Sequence, residues 1–171
     1  MSTNGTVKYV DFGYASANEY WTELVIPAHD AFRSEPNRQN AIRVSIHAWH
    51  LHDWIWHDQH PGEETRGNKD YADFQNRILA ECPQLAWIRD VADTGKHRGL
   101  GRPDLKVRSA KPRIIEGFGG FGGAPIGAHP IGGGPSVKSL TIILDDGASH
   151  EFGDILAQVI TYWRRKWIRD S

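Results

Sequence analysis

The chain has 171 residues, of which 39% are apolar and 24% are charged, and its formal net charge is -1. This length fits one domain. The composition is typical of a globular protein and excludes the disordered, collagen-like and membrane-spanning classes. Two features are unusual: the chain has seven tryptophans and nine histidines, and five of those histidines fall between His47 and His60.

The sequence lacks the usual signals of secreted and membrane proteins, which bears on the expected location of the protein. The single cysteine, Cys82, cannot form an internal disulfide. No charged and then apolar leader follows Met1. No apolar stretch approaches the roughly 20 residues that a membrane-spanning helix needs. We therefore expect a cytoplasmic protein with no membrane segment.

The first predicted helix runs from about residue 19 to residue 33. Ser16 and Asn18 can cap its start, and its apolar residues recur at helical spacing, at Trp21, Leu24, Val25, Ala28 and Phe32. Pro27 lies inside this segment and lacks a backbone donor. We therefore expect the helix to kink there or to start anew.

Three further helices are predicted in the next part of the chain. The second follows Pro36 and Asn37 and ends before Pro61, and the third follows Asn68 and ends at Pro83. The fourth begins at Pro83, which suits a first helical turn, and continues until Gly99. Because the connections are short, we expect antiparallel packing of neighbouring helices.

The C-terminal third changes in character. Residues 105–115 and 136–144 are extended in pattern, and Asp145-Asp146-Gly147 is a turn signal. Residues 152–168 form an amphipathic helix with one apolar stripe. The sequence thus predicts a mainly α protein in a single domain, 1–171. Its architecture is an antiparallel bundle of four to five helices, with a small β-hairpin or meander inserted before the C-terminal helix.

Residues 117–134 are rich in glycine, which favours a flexible loop. A phosphate-binding loop is the alternative. A P-loop requires Gly-x-x-x-x-Gly-Lys-Ser/Thr before a helix, and that pattern is missing from the segment.

Histidine and aspartate side chains concentrate on two of the predicted helices. At about 100° per residue, His50, Asp53 and His57 share one helix face, whereas His52 points elsewhere. Asp90, Asp93 and His97 repeat this spacing on the fourth segment. If the two faces meet, they form one polar site. Three interpretations remain open: a supporting network of hydrogen bonds, an acid-base catalytic site, or a metal site, although no di-metal motif is present.

A basic segment follows the fourth helix and is opposed by a single carboxylate, Asp104. Its positive field is suited to phosphate groups, so RNA is a plausible partner. The alternative is that basic residues at a strand edge prevent aggregation. The residues of this candidate nucleic-acid surface are Arg98, Arg102, Lys106, Arg108, Lys111 and Arg113.

Five stretches together resemble a known family. They are His50-Leu51-His52-Asp53-Trp54, Cys82-Pro83, residues 89–97, the predicted hairpin, and residues 156–167. In this order they resemble widespread uncharacterised bacterial proteins that look like relatives of the HEPN helical domains. The resemblance implies a helical bundle, often dimeric, of the kind found in toxins, antiphage defence systems and RNases. In the nuclease members, an Arg, a polar residue and a His cleave RNA without a metal.

This resemblance implies that Arg89, Asp90 and His97 take the catalytic parts. We add Lys96 to this catalytic set as a second group that stabilises charge. From the helix faces described above, we expect His50, Asp53, His57 and Asp93 to form the supporting polar network. The resemblance implies no cofactor and no metal. The leading hypothesis is a HEPN-like protein that binds RNA or a nucleoprotein partner, with metal-independent endoribonuclease activity as its catalytic form. The first alternative is a non-enzymatic accessory protein of a bacterial mobile element or defence cassette, which forms a homodimer through its tryptophan-rich helices. The second is a helical-bundle metalloprotein that uses His50, Asp53, His57 and His97.

Overall fold

The structure of the protein is a computed structural model that describes residues 13–94, 104–115 and 137–168. The side chains of residues 112–115 and 137–138 lie outside this description. The glycine-rich segment 117–134 also lies outside it, and so do Lys96, His97, Arg98 and Arg102.

The first helical stretch is continuous through Pro27. It consists of α1 (Ala17–Tyr20), a π-helical turn (Trp21–Val25) and α2 (Ile26–Ser34). Ser16 caps the start, because its Oγ accepts a hydrogen bond from the Glu19 amide. In the wider turn, the Ile26 amide donates to the Trp21 carbonyl, five residues back. This widening accommodates a proline, which has no amide to donate and whose ring crowds the preceding turn of an α-helix. Pro27 therefore changes the helix locally without ending it.

Three helices follow at the predicted places. They are α3 (Arg38–Gln59), α4 (Lys69–Glu81) and α5 (Gln84–Thr94). Asn37 caps α3 by accepting from the Asn40 amide at 2.8 Å. Asn68 caps α4 by accepting from the amides of residues 70 and 71. Both caps satisfy amides that have no partner within their helix.

A three-stranded antiparallel meander lies between α5 and the last helix. Its strands are β1 (Val107–Ile115), β2 (Val137–Leu144) and β3 (Ser149–Glu151), in the order β1-β2-β3. The register pairs Ala110 with Ile142, and it shifts by a bulge between Val107 and Ser109. Gly147 takes a φ of +86° in the turn before β3, a conformation that favours glycine.

The last helix, α6 (Phe152–Lys166), contributes a large part of the core. Its inward stripe is fully or almost fully buried, from Phe152 to Trp163. The Trp163 indole Nε1 donates to the Ala48 carbonyl of α3 at 3.0 Å. The molecule is thus mainly α, with helices enclosing one apolar core and a small sheet preceding α6, as the sequence predicts.

Within the described residues, none of the helices combines the length and the apolar character that crossing a lipid bilayer would require.

Candidate functional site

Five polar side chains from two helices meet on one side of the bundle. We call this group the α3–α4 cluster. It comprises His50, His52 and Asp53 of α3 together with Tyr71 and Gln75 of α4. Tyr71 and Gln75 share a face because they lie four residues apart on a helix.

Asp53 is the centre of the α3–α4 cluster. Its Oδ2 lies 3.0 Å from Nδ1 of His50, and its Oδ1 accepts the hydroxyl hydrogen of Tyr71. His52 Nε2 lies 3.5 Å from the same Oδ1. Burial acts to raise the pKa of the Asp53 carboxyl, but the hydrogen bonds from His50 and Tyr71 act in the opposite direction, and the net pKa is lowered. The carboxylate form of Asp53 is therefore favoured at neutral pH.

His52 is the buried member of the α3–α4 cluster, with 1% of its surface exposed. Its Nδ1 contacts the Trp49 carbonyl, which can only accept, so Nδ1 carries a hydrogen. Its Nε2 lies 2.8 Å from the Gln75 amide nitrogen, which donates to it. Burial lowers the pKa of His52. The geometry and the pKa together indicate a neutral imidazole.

Tyr71 connects the His50 and Asp53 pair to Gln75 and His52. Its hydroxyl gives its hydrogen to Asp53 and accepts from the Gln75 amide at 3.0 Å, and the same amide donates to His52 Nε2. Burial, and then the hydrogen bond to Asp53, raise the pKa of Tyr71. The result is a chain of hydrogen bonds that begins at His50, whose side chain is 34% exposed, and ends at buried His52. Such a chain can hold one partly exposed imidazole in a fixed orientation.

An aromatic layer lies beside the cluster. Tyr20 stacks on Trp54 with a centroid separation of 5.0 Å, and Tyr14 contacts both rings edge-on. The Tyr20 hydroxyl lies 3.1 Å from Nδ1 of His47. Burial, and then the charge of Asp53, raise the pKa of Tyr20 to about 12. Tyr20 is thus a neutral hydrogen-bonding group near neutral pH.

The predicted catalytic residues of α5 occupy a second location, at the junction with β1. Arg89 donates to the Asp104 carboxylate at 2.6 Å, and its guanidinium lies 5.8 Å from the Trp49 ring centroid. Asp90 is fully buried, and its Oδ2 accepts from the amides of Lys106 and Val107 at 2.6 and 3.0 Å. Both side chains therefore have contacts that position the chain entering β1.

The structure brings together part of the predicted polar site. His50 and Asp53 are hydrogen-bonded as their spacing suggests. His57 and Asp93 are half-buried on α3 and α5. Because Lys96 and His97 lie outside the described residues, the meeting of the two helix faces and the catalytic set remain predictions.

Sequence reasoning missed three members of the cluster. His52 was expected to point away from Asp53, and no function was assigned to Tyr71 or Gln75. The four-residue spacing of Tyr71 and Gln75 was the available signal, because it places two hydrogen-bonding side chains on one face of α4. Nothing in the sequence indicated which residues of α3 that face would contact.

The basic segment runs along β1, which is an edge strand of the sheet within the described part of the chain. Lys106 pairs with Asp145 at 3.5 Å. Arg108, at the bulge, and Lys111 are exposed, and within the described part of the chain neither has an acidic partner. Arg113 lies opposite Ser139 in the register. The described part of the predicted nucleic-acid surface thus has two exposed and unpaired cationic side chains.

The tryptophans are core or near-core residues. Trp21, Trp49, Trp56 and Trp163 are buried, and the other three are partly buried. Homodimerisation through tryptophan-rich helices remains a prediction, since the buried rings pack within this chain. Across residues 13–94, 104–115 and 137–168, no three histidine, cysteine or acidic side chains are grouped so that they could hold a metal ion.

Comparison with protein-family models, with curated proteins and with solved structures found no match to this chain.

Proposed function

We propose that this protein binds RNA through the basic edge of its sheet, without needing a metal or a cofactor. The observation that carries the proposal is a pair of exposed cations on β1, Arg108 and Lys111, which have no acidic partner among the residues that the structure describes. Cations without a carboxylate partner are available to phosphate oxygens, and their binding releases counterions from the nucleic acid.

The geometry of β1 supports contact with an extended polyanion. Cations spaced along an extended protein strand can contact several successive phosphates of a single-stranded RNA. An isolated cation can contact only one position. The bulge at Arg108 also disrupts the regular strand edge, and a basic, bulged edge resists pairing with another strand. The same features that discourage strand pairing leave the cations open to a charged ligand.

Binding is better supported than cleavage. In the HEPN-like hypothesis, His97 acts as the base that activates a ribose 2′-hydroxyl, while Arg89 and Lys96 stabilise charge on the phosphate. Arg89 already pairs with Asp104, and Asp90 already accepts two backbone amides. Both groups would have to exchange these contacts before serving a substrate, so a binding role is the simpler proposal.

The binding test measures the fluorescence anisotropy of a labelled single-stranded RNA over a series of salt concentrations. We expect Arg108→Gln with Lys111→Gln to weaken binding and to reduce the log-log salt slope by about 1.4, since each phosphate contact on a single strand contributes about 0.7. The matched control is Arg66→Gln with Lys69→Gln, which removes one arginine and one lysine that are also exposed but lie off β1. Equal weakening by both pairs would overturn the proposal.

The cleavage test incubates the protein with mixed RNAs in the presence of a chelator. The binding proposal predicts that wild type and His97→Ala leave the RNA equally intact. Cleavage by the wild type that His97→Ala abolishes would instead establish the endoribonuclease hypothesis.

A further inference from the structure

A cavity of about 340 Å³ lies between α3, α5 and the inner face of the sheet. Its walls are mainly apolar and include Ala41, Ile42, Val91, Leu140 and Phe152. This volume falls in the range of small-molecule sites. Because an apolar wall cannot satisfy buried polar groups, the body of any occupant must be hydrophobic.

The rim of the cavity is cationic. Arg38 and Arg108 both line it, and its described lining includes no carboxylate. The Arg38 guanidinium is held at the rim because it donates to the Ala110 carbonyl of β1 at 3.0 Å. Arg38 is also the first residue of α3, where the helix dipole favours an anion.

We propose that this cavity binds a small amphipathic carboxylic acid, whose hydrophobic chain fills the cavity and whose carboxylate pairs with Arg38 and Arg108. A guanidinium matches a carboxylate in shape and donates two parallel hydrogen bonds to it. A neutral apolar compound would leave the cationic rim unused, and a polar anion would leave the apolar walls unfilled. This proposal does not depend on RNA binding.

The test is isothermal titration calorimetry of the full chain with octanoate as the probe. Octanol and octylammonium, which have the same alkyl chain, are the comparison compounds. We expect octanoate to bind at least about tenfold more tightly than octanol, and octylammonium to bind least, because only the carboxylate gains charge-assisted hydrogen bonds.

Two variants and one control test the contributions of the rim charge and of the cavity volume separately. Arg108→Gln should weaken octanoate about tenfold and leave octanol unchanged. The control Arg43→Gln removes an exposed arginine of α3 that does not line the cavity, and should leave octanoate binding unchanged. Ala110→Leu adds side-chain volume at a lining position and should block octanoate and octanol alike.

Circular dichroism and thermal unfolding would establish that Ala110→Leu is folded. Equal affinity for octanoate and octanol would overturn the proposal, and so would undiminished octanoate binding by folded Ala110→Leu or by Arg108→Gln.

Discussion

His52 is a buried imidazole whose hydrogen bonds suit its neutral form. Nδ1 donates to the Trp49 carbonyl, and Nε2 accepts from Gln75. A second proton on Nε2 would face the Gln75 amide hydrogens and would place a charge where little water reaches. Burial therefore lowers the pKa of His52, and this pKa makes the stability of the fold depend on pH.

The sign of that dependence follows from proton binding. The unfolded chain protonates His52 at about pH 6.5, whereas the folded chain does so only at a lower pH. Its contribution to stability is therefore present above about pH 6.5 and is lost as the pH falls through the folded pKa.

Urea unfolding from pH 7 to pH 5 should show a falling free energy of unfolding for the wild type, and a smaller fall for His52→Gln. The slope is reduced rather than abolished, because burial also lowers the pKa values of His29 and His47. His150→Gln in β3, outside the α3–α4 cluster, is the control, and an unchanged slope in His52→Gln would contradict this account.

Tyr71 is the second residue whose loss should be measurable. Tyr71→Phe removes the hydroxyl that donates to Asp53 and accepts from Gln75. The partly buried Asp53 carboxylate and Gln75 amide then each lose a hydrogen-bond partner. We expect a loss of about 1–3 kcal/mol in the free energy of unfolding, measured in urea. Tyr162→Phe is the comparison variant, because it removes a hydroxyl outside the α3–α4 cluster that donates to exposed Glu81 and accepts from the Trp167 indole. Its loss should be clearly smaller, and equal losses would count against a special role for the cluster.

The residues of the α3–α4 cluster could be predicted only in part from the sequence. His50 and Asp53 lie three apart on one helix, so their hydrogen bond follows from helical geometry. The hydrogen bonds that connect His52 to Asp53 run through Tyr71 and Gln75 of α4. The rotation of α4 against α3 decides that contact, and periodicity within one helix does not specify such a rotation.

At the scale of elements, Asp90 fixes the start of β1 to the end of α5. One carboxylate oxygen accepts from two successive backbone amides, so the chain is held at the point where it changes from a loop to a strand. Without the carboxylate, these amides would need other partners at a partly buried site.

Asp90→Ala should therefore lower the free energy of unfolding by about 2–4 kcal/mol and speed hydrogen exchange at the amides of residues 106 and 107. Asp90→Asn keeps one carbonyl acceptor and should cost less. Asp73→Ala, at an exposed position of α4, is the control and should change stability by less than about 0.5 kcal/mol. Unchanged exchange at residues 106 and 107 in Asp90→Ala would show that the bonds do not hold β1.

The elements themselves were predictable where local signals were strong. Asn37, Asn68 and the Asp145-Asp146-Gly147 turn mark their boundaries directly, and the structure confirms the helices and strands beside them. The π-helical turn before Pro27 was not predictable in form. The sequence shows that an amide is missing, but burial of Tyr20 and Trp21 on one side and of Ala28 on the other favours a continuous helix over a break.

At the scale of the whole molecule, α6 joins elements that are far apart in the chain. Its Trp163 is fully buried and donates to the carbonyl of Ala48, a residue of α3. This hydrogen bond and the surrounding apolar contacts attach the last helix to the centre of the bundle.

Trp163→Phe should lower the free energy of unfolding by about 1–3 kcal/mol, because it removes the indole donor and leaves a small void. Trp167→Phe is the comparison variant, because its indole donates to the Tyr162 hydroxyl at a partly buried site. Denaturant unfolding of both variants should show the larger loss for Trp163→Phe, and the reverse order would mean that α6 is held mainly by its C-terminal end.

The position of α6 in the chain has a consequence for synthesis on the ribosome. The apolar stripe of α6 fills the space between α3, α5 and β2, so the nascent chain cannot close its interior until residues 152–163 have left the exit tunnel. Until then, the growing polypeptide exposes the surfaces that α6 later covers. Chaperones that hold hydrophobic nascent segments should therefore remain bound to these helices until α6 emerges and should leave soon afterwards.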